Sequence, residues 1–421
     1  MVNIVNLFYC LAVKLGWKIQ TADIKAAFLQ GAQLDRDVYL VPPKEKRVPG
    51  TVWKMVKRAY GFVDASRGFY LELEKALSQL GCSVSKNDPA IYIYRDSSGC
   101  LAGLILTHVD DLLHGFGSSE FIENVMIPLK NIFTFGKVDD TDFMYVGMHV
   151  KQEQECITVD QDHYVQMLDF PDMPYFDHNG DPNALIDESA QNVYRSVVGR
   201  IGWIASSTRP DLSYDHVVLS TRLGKATVRD LKQAFKVVKK LKSDVTSMKF
   251  VNLGSPSQWS LEGFGDAGFK SLPDKVSSCG GHVLLLSNRS TGKACVLKWK
   301  SKKLKKVVSS STAAETLASN DTLDELVYVK SLLGEILGSD FPELPLLLHT
   351  DSANLHDSVT RSTLAENPRL RTEIIQLQES LSSGELRKFE KIPGKDMIAN
   401  CLTKAGAPAF SLMRIMRTGE L

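Results

Sequence analysis

The chain has 421 residues, 43% hydrophobic and 24% charged, and its 50 Lys and Arg against 49 Asp and Glu leave a formal net charge of +1. That length suits two or three domains of about 150 residues each, and the neutral balance excludes a global basic field, so any nucleic-acid surface has to be local. Seven cysteines, at positions 10, 82, 100, 156, 279, 295 and 401, form no CxxC pair, which argues against zinc ribbons, zinc knuckles and a disulfide framework and fits a reducing, intracellular setting.

In chain order, Val2, Val5, Phe8, Leu11 and Leu15 recur at helical spacing and predict an amphipathic core helix. The same stretch lacks the basic start and small-residue cleavage site of a signal peptide. Residues 17–31 read as a strand, a turn and a short helix, and 38–43 as a strand stopped by Pro42 and Pro43. A helix is expected over 66–80, with Gly81 just past its end. Residues 90–95 and 101–111 read as a strand pair around a turn at 96–99. The stretch 171–192 is rich in Pro, Asp and Asn and reads as a loop, followed by helices over 193–206 and 228–244. Residues 254–258 look like a linker. Beyond it, strands at 259–264, 281–287 and 294–300, a long helix over 312–337, a strand at 345–350, further helices, a strand at 385–390 and a last helix near 394–404 predict a separate α/β domain. No apolar run reaches the roughly 20 residues of a membrane span, so no membrane partner is expected.

Two adjacent acids, Asp110 and Asp111, sit between apolar runs, and burying like charges side by side is expensive unless something offsets them. On a strand they point to opposite faces. A hairpin turn lets at least one lean toward a neighbouring strand that carries Asp23. Oxygens from two strands can hold two Mg²⁺ ions, the arrangement that serves in-line phosphoryl transfer. A plain hairpin turn, where Asp is common, is the other reading of the pair. A second set joins Asp266 on a strand, Glu315 on a helix and Asp351 at a later strand end, again a two-metal pattern. Each of these acids alone reads as a solvated or capping residue. Residues 298–306 hold six lysines and Trp299. They read either as a phosphate-tracking strip with an aromatic platform or as a strand edge guarded by lysine. The basic helix face at 236–242 reads as solvated.

Taken in order, "TADIKAAFLQG", "KRAYGFVDASRGFY", "HVDD", "RSVVGRIGWIASSTRPDLSYD", "DAGFKSLPD", "GGHVLLL", "WKSKKLKKVVSSSTAAETLA", "TDSANLHDSV" and "IANCLTKAGA" resemble the reverse transcriptase and ribonuclease H segment of a copia-type LTR retrotransposon Pol polyprotein. The resemblance implies an α+β polymerase palm with partial fingers over 1–165, a helical thumb or connection over 166–253 and an α/β ribonuclease H-like domain over 254–421. It implies RNA-directed DNA polymerisation at Asp23, Asp110 and Asp111, with Phe28 as the aromatic gate against a ribose 2′-OH and Tyr60, Gly61 and Arg67 in nucleotide binding. It implies RNA cleavage at Asp266, Glu315 and Asp351, with Asn400 as fourth metal ligand. Two Mg²⁺ ions per site, Mn²⁺ as the alternative, an RNA template, a DNA primer, dNTPs and an RNA/DNA hybrid follow from the same resemblance. So do upstream polyprotein segments and a cytoplasmic or nuclear location.

Three departures stand out. His108 replaces the tyrosine of "YVDD", and Phe62-Val63 replaces the usual leucine and polar residue. Asn400 stands where the family has aspartate, "IANCLTK" against "LADCLTK". Asp396, one helical turn earlier, faces the same side of a helix and is placed either to compensate or to cap it. Weakened or lost RNA cleavage is expected. The family's reverse transcriptase begins well upstream of Asp23, so the cationic fingers that grip a triphosphate are expected to be missing from this chain. The second expectation is a non-catalytic nucleic-acid-binding remnant.

Overall fold

A computed structural model describes residues 2–168, 181–338, 341–361 and 370–421. The part of the expected 171–192 loop that covers 171–180 lies outside the described residues. The chain forms two compact units, one of Leu15–Val146 with Glu335–Gly338, the other of Met1–Lys14, Gly147–Gly334 and Ser339–Leu421.

The first element is helix α1 (Val2–Leu15), part of the second of these units over most of its length. An apolar stripe was expected from its spacing, yet every residue from Val5 to Ala12 is buried. The stretch contains a single amide side chain, Asn6, whose Nδ2 donates to the Leu297 carbonyl at 3.0 Å. A helix this apolar all round is a core element rather than an amphipathic one.

The Leu15–Val146 unit is built on β1 (Lys18–Ile24), β2 (Gln33–Leu40), β3 (Trp53–Lys57), α2 (Ala65–Gln79), β4 (Cys82–Val84), β5 (Ile91–Arg95), β6 (Leu101–His108), β7 (Asp111–Phe116) and β8 (Phe135–Asp140). Six strands form one antiparallel sheet in the order β4-β5-β6-β7-β1-β8. Ala65, Phe69, Leu73, Ala76 and Leu77 recur every three or four residues along α2 and form its buried face. They share a core with Ile105, Leu112 and Phe133. The expected strand over 101–111 is interrupted, because β6 stops at His108 and a two-residue turn, Val109-Asp110, leads into β7. β2 and β3 pair as a separate ribbon, and β2 begins five residues earlier than the proline-stopped strand read from the sequence.

The other unit adds β9 (Met148–Gln152), β10 (Cys156–Asp160), α3 (Glu188–Ser207), α4 (Ser213–Ser220), α5 (Val228–Ser243) and β11 (Ser247–Val251), with the three strands antiparallel. α3 starts earlier than its apolar periodicity suggested because Asp187 caps it, Oδ1 accepting from Ala190 N at 2.8 Å. Thr227 and Asp230 close a reciprocal capping box on α5. Tyr194, Val198 and Ile201 meet Val237 and Leu241 between the two helices.

The same unit continues through β12 (Ser260–Gly268), β13 (Cys279–Asn288), β14 (Lys293–Lys303), α6 (Ser311–Leu337), β15 (Leu346–Thr350), α7 (Ala353–Thr360), α8 (Arg371–Ser382), β16 (Lys388–Lys391) and α9 (Phe410–Thr418). The sheet order is β14-β13-β12-β15-β16, antiparallel through the first three strands and parallel from β12 to β16. β12 and β13 are buried at every residue. The glycines of β12 let α6 lie close, since a Cβ at Gly263 would stand 2.6 Å from Thr322 Cγ2. Two expectations fail here. The helix near 394–404 is a pair of short 3₁₀ turns, Gly394–Asp396 and Ile398–Leu402, and α9 was missed. Trp299 is no platform: it is buried, its Nε1 donating to the Ala205 carbonyl at 2.8 Å. No helix among the described residues is long and apolar enough to cross a membrane.

Ile105 is fully buried in the core under α2. Ile105→Ala should lower the unfolding free energy by about 2–5 kcal/mol in urea titrations. A change below about 0.5 kcal/mol, the scale of surface substitutions, contradicts that placement.

Candidate active sites

The first acid cluster is made by strand register. In the β1–β7 pair Asp23 stands directly opposite Asp111, and in the β6–β7 pair His108 does so. Asp110 occupies the turn, its carbonyl accepting from Ile24 N at 3.0 Å. The hairpin thus brings both acids to the end of β1, and the opposite-faces problem disappears because only Asp111 is on a strand. Val109 takes the left-handed conformation, φ 60°, to make the turn this tight. Burial first, then the charges of Asp110 and Asp23, push the Asp111 carboxyl above the usual carboxylate range, with His108 acting against them. Gly136 on β8 completes the site, because a Cβ there would run into Asp23 Oδ2.

Of the residues assigned to nucleotide binding, Tyr60 reaches this cluster and Phe28 packs beneath it. Tyr60 Oη donates to Asp110 Oδ2 at 3.0 Å, which raises the phenol's pKa. The Tyr60 ring, 66% exposed, covers that of Phe28, which is 6% exposed, with centroids 4.6 Å apart. Gly61 follows with φ 98°. Arg67 lies exposed in the first turn of α2 and is not among the groups acting on Asp111. Sequence reasoning missed what anchors this segment. Arg36 grips Asp64 through two hydrogen bonds of 2.9 and 3.0 Å, and Arg58 Nε adds a third at 3.1 Å. These two guanidiniums hold the Asp64 carboxyl well below its ordinary range.

The second cluster is tighter. Among the described residues, Asp266, Glu315 and Asp351 form the group whose ligand atoms all lie within 4.8 Å of one another. Asp266 is inside β12, Glu315 on the first turn or two of α6, and Asp351 just after β15. Burial, then Asp266 and Asp351, push the Glu315 carboxyl up to about 9. Its Oε2 is buried with no hydrogen-bond partner. An orphaned buried carboxylate oxygen facing two more acids suits a hard divalent cation. Burial and Asp266 also raise Asp351.

Asn400 comes to the edge of this group, and Asp396 does not, being exposed on the preceding 3₁₀ turn. Lys404 was unforeseen. Its Nζ stands 2.9 Å from Asp266 Oδ1 and 2.6 Å from Asn400 Oδ1. Thr403 Oγ1 donates to the other Asp266 oxygen. "LTK" was visible as a string, but only the 3₁₀ turn shows that its last two residues point back to Asp266. Behind the acids, Glu262 accepts from His349 Nε2 at 2.9 Å and from Ser287 and Arg289. Those bonds outweigh burial and bring its carboxyl down to about 2. This buried link ties β12 to β15, the strands that carry Asp266 and lead to Asp351.

Four of the six lysines of the 298–306 strip are paired with acids: Lys298 with Glu325, Lys302 with Asp321, Lys303 with Asp274 and Lys306 with Glu373. β14 is the sheet's edge strand, so the lysine-guarded edge is the reading that fits.

Residues 1–170 match the family described as reverse transcriptase (RNA-dependent DNA polymerase). The matched segment is similar to the reverse transcriptase region of copia-like Pol polyproteins. The chain is 26% identical over 417 residues to the retrovirus-related Pol polyprotein from transposon RE1 of Arabidopsis thaliana, covering 94% of the chain and 27% of that protein. It thus spans about a quarter of the length of that curated relative. It is also 26% identical over 320 residues to the putative transposon Ty5-1 protein YCL074W of Saccharomyces cerevisiae, covering 72% of the chain and all of that protein. In fold the chain is similar to a foamy viral protease–reverse transcriptase solved with an RNA/DNA hybrid, at TM-score 0.50 and 12% identity, over 91% of this chain and 46% of the other.

Two outcomes follow from this geometry. Gly136→Ala forces Asp23 aside and should lower the primer extension proposed for this chain about 10- to 100-fold, with little change in the melting temperature; unchanged extension removes Gly136 from the site. Glu315 is an acid with a raised folded-state pKa, so without metal its contribution is most favourable below the ordinary carboxyl range and is lost as pH rises toward 9. Glu315→Gln should therefore raise the melting temperature in EDTA by roughly 2–4 °C or more near about pH 8, and have little effect near about pH 4. Equal effects at both pH values contradict the assignment.

Proposed function

We propose that the chain carries two phosphoryl-transfer centres, an RNA-directed DNA polymerase at Asp23, Asp110 and Asp111 and a ribonuclease H at Asp266, Glu315 and Asp351. The observation that carries the polymerase reading is the Asp23–Asp111 register, with Asp110 in the adjoining turn, inside the segment that matches the reverse transcriptase family. The proposed domains are the palm over 1–165, the thumb or connection over 166–253 and the ribonuclease H-like domain over 254–421. Proposed partners are an RNA template, a DNA primer, dNTPs and an RNA/DNA hybrid, in the cytoplasm or nucleus, together with upstream polyprotein segments.

The oxygens of Asp266, Glu315 and Asp351 fit divalent ions, Mg²⁺ foremost and Mn²⁺ as the alternative, and the same ions are proposed at Asp23, Asp110 and Asp111. Such ions would supply positive charge to the attacking and leaving oxygens of an in-line displacement. At the polymerase centre, Asp23 and Asp110 offer the ligand oxygens and Asp111 assists. Tyr60 donates to Asp110 Oδ2, so Oδ1 is the oxygen that Asp110 would offer to an ion. The Tyr60 ring, held on Phe28, presents an aromatic face where a nucleotide sugar would rest. The Arg36–Asp64–Arg58 network steadies the loop that positions Tyr60. At the proposed nuclease centre, burial and the neighbouring acids push the Glu315 carboxyl up to about 9, so an ion held there would displace its proton. Asp266 is oriented by Thr403 and Lys404. Asn400 brings an amide oxygen without charge, so RNA cleavage is proposed to be weak.

The neutral Asn400, bonded to a lysine, favours a second reading in which nucleic acid is bound without cleavage. Primer extension on poly(rA)/oligo(dT) with dTTP and Mg²⁺ decides. Incorporation is expected, and Asp110→Asn should lower it by roughly 100-fold or more, the scale of losing a group that acts in the transition state. A chain that binds the hybrid but incorporates nothing supports the remnant and rejects the polymerase.

A further inference from the structure

The nuclease centre contains a cation of its own. Lys404 Nζ bridges Asp266 Oδ1 and Asn400 Oδ1 at 2.9 and 2.6 Å. Both partners are held in place. Asn400 Nδ2 donates to the Gly394 carbonyl at 2.7 Å, which directs its Oδ1 toward the lysine. Asp266 is fully buried, its second oxygen taken by Thr403. A divalent ion joining Asp266 to residue 400 would need the same two oxygens that the ammonium now occupies. Glu315 Oε2 is buried with no hydrogen-bond partner and Asp351 is half-buried. Lys404 is hydrogen-bonded to neither, so these two carboxylates keep oxygens for an ion.

We propose that Lys404 is a tethered cation that stands in for one of two divalent ions, so that this centre binds a single ion at the Glu315–Asp351 side. The inference rests on the reading of Asp266, Glu315 and Asp351 as a metal centre. Charge supports it. Three carboxylates are balanced by one divalent ion and one ammonium, whereas two divalent ions with Lys404 in place leave two positive charges in excess in a partly desolvated site. A compact ammonium with three donors can satisfy both oxygens at once. An aspartate at 400 would add the missing negative charge, and loss of the lysine would free the second position.

Mn²⁺ binding followed by electron paramagnetic resonance tests this without reference to turnover. The full chain is used with Asp23→Asn and Asp110→Asn, which removes the polymerase cluster as a competing site. One magnetically isolated Mn²⁺ is expected, and Lys404→Arg should keep it single. Asn400→Asp with Lys404→Met should bind two, with the exchange-coupled signal of a close pair. A coupled pair while Lys404 is present overturns the proposal, as does a single ion in a folded double variant. If the Arg variant alone folds, a coupled pair there is equally decisive. Absence of any bound Mn²⁺ that Glu315→Gln removes rejects the metal centre itself, an outcome distinct from both.

Discussion

Carboxylates crowded into a few ångströms repel one another, and this structure depends on how that repulsion is contained. Strand pairing forces the crowding. Asp23 and Asp111 face each other across β1 and β7, and Asp266 and Asp351 are delivered by the adjacent parallel strands β12 and β15. The two clusters are contained differently. The Asp23–Asp110–Asp111 cluster is partly solvated and receives one phenolic hydrogen bond. The Asp266–Glu315–Asp351 cluster is deeper, has a carboxyl pushed up to about 9 and has a lysine against it. A charge that cannot be hydrated has to be neutralised by a proton, a neighbouring cation or an ion from solution.

The same logic extends behind the acids. Glu262 is buried at 1% exposure and yet holds its carboxyl at about 2, because His349, Arg289 and Ser287 all bond to it. Both oxygens of Glu262 are thus bonded and tie β12 to β15, while an oxygen of Glu315 in the neighbouring cluster is orphaned. A carboxylate bonded through both oxygens makes the first a rigid support. Incomplete satisfaction makes the second a site able to take a ligand.

The sequence made the acids legible because they combine two signals, charge and apolar surroundings, at strand ends. Asp23, Asp110 and Asp111 converge, as do Asp266, Glu315 and Asp351. What stayed hidden depended on contacts far apart in the chain. Trp299 among six lysines reads as an exposed aromatic, and nothing local reveals that its N–H reaches the Ala205 carbonyl. α1 shows helical spacing, but only the strand carbonyl that accepts from Asn6 explains why its polar residue is buried. Asp396 and Asn400 share a face on an α-helix and separate when the segment becomes two 3₁₀ turns. Gly136 has no side chain to announce that Asp23 occupies its space.

Val109 joins the two strands of the "HVDD" hairpin in a conformation that a β-branched residue resists, φ 60°. Holding it there takes about 1–3 kcal/mol from the stability of the fold. Glycine would relax the turn without that strain, yet it would also widen the range of positions open to Asp110, the next residue along. The hairpin therefore trades thermodynamic comfort for angular precision, and the stiffness of one small aliphatic side chain becomes part of how sharply the neighbouring carboxylate is aimed.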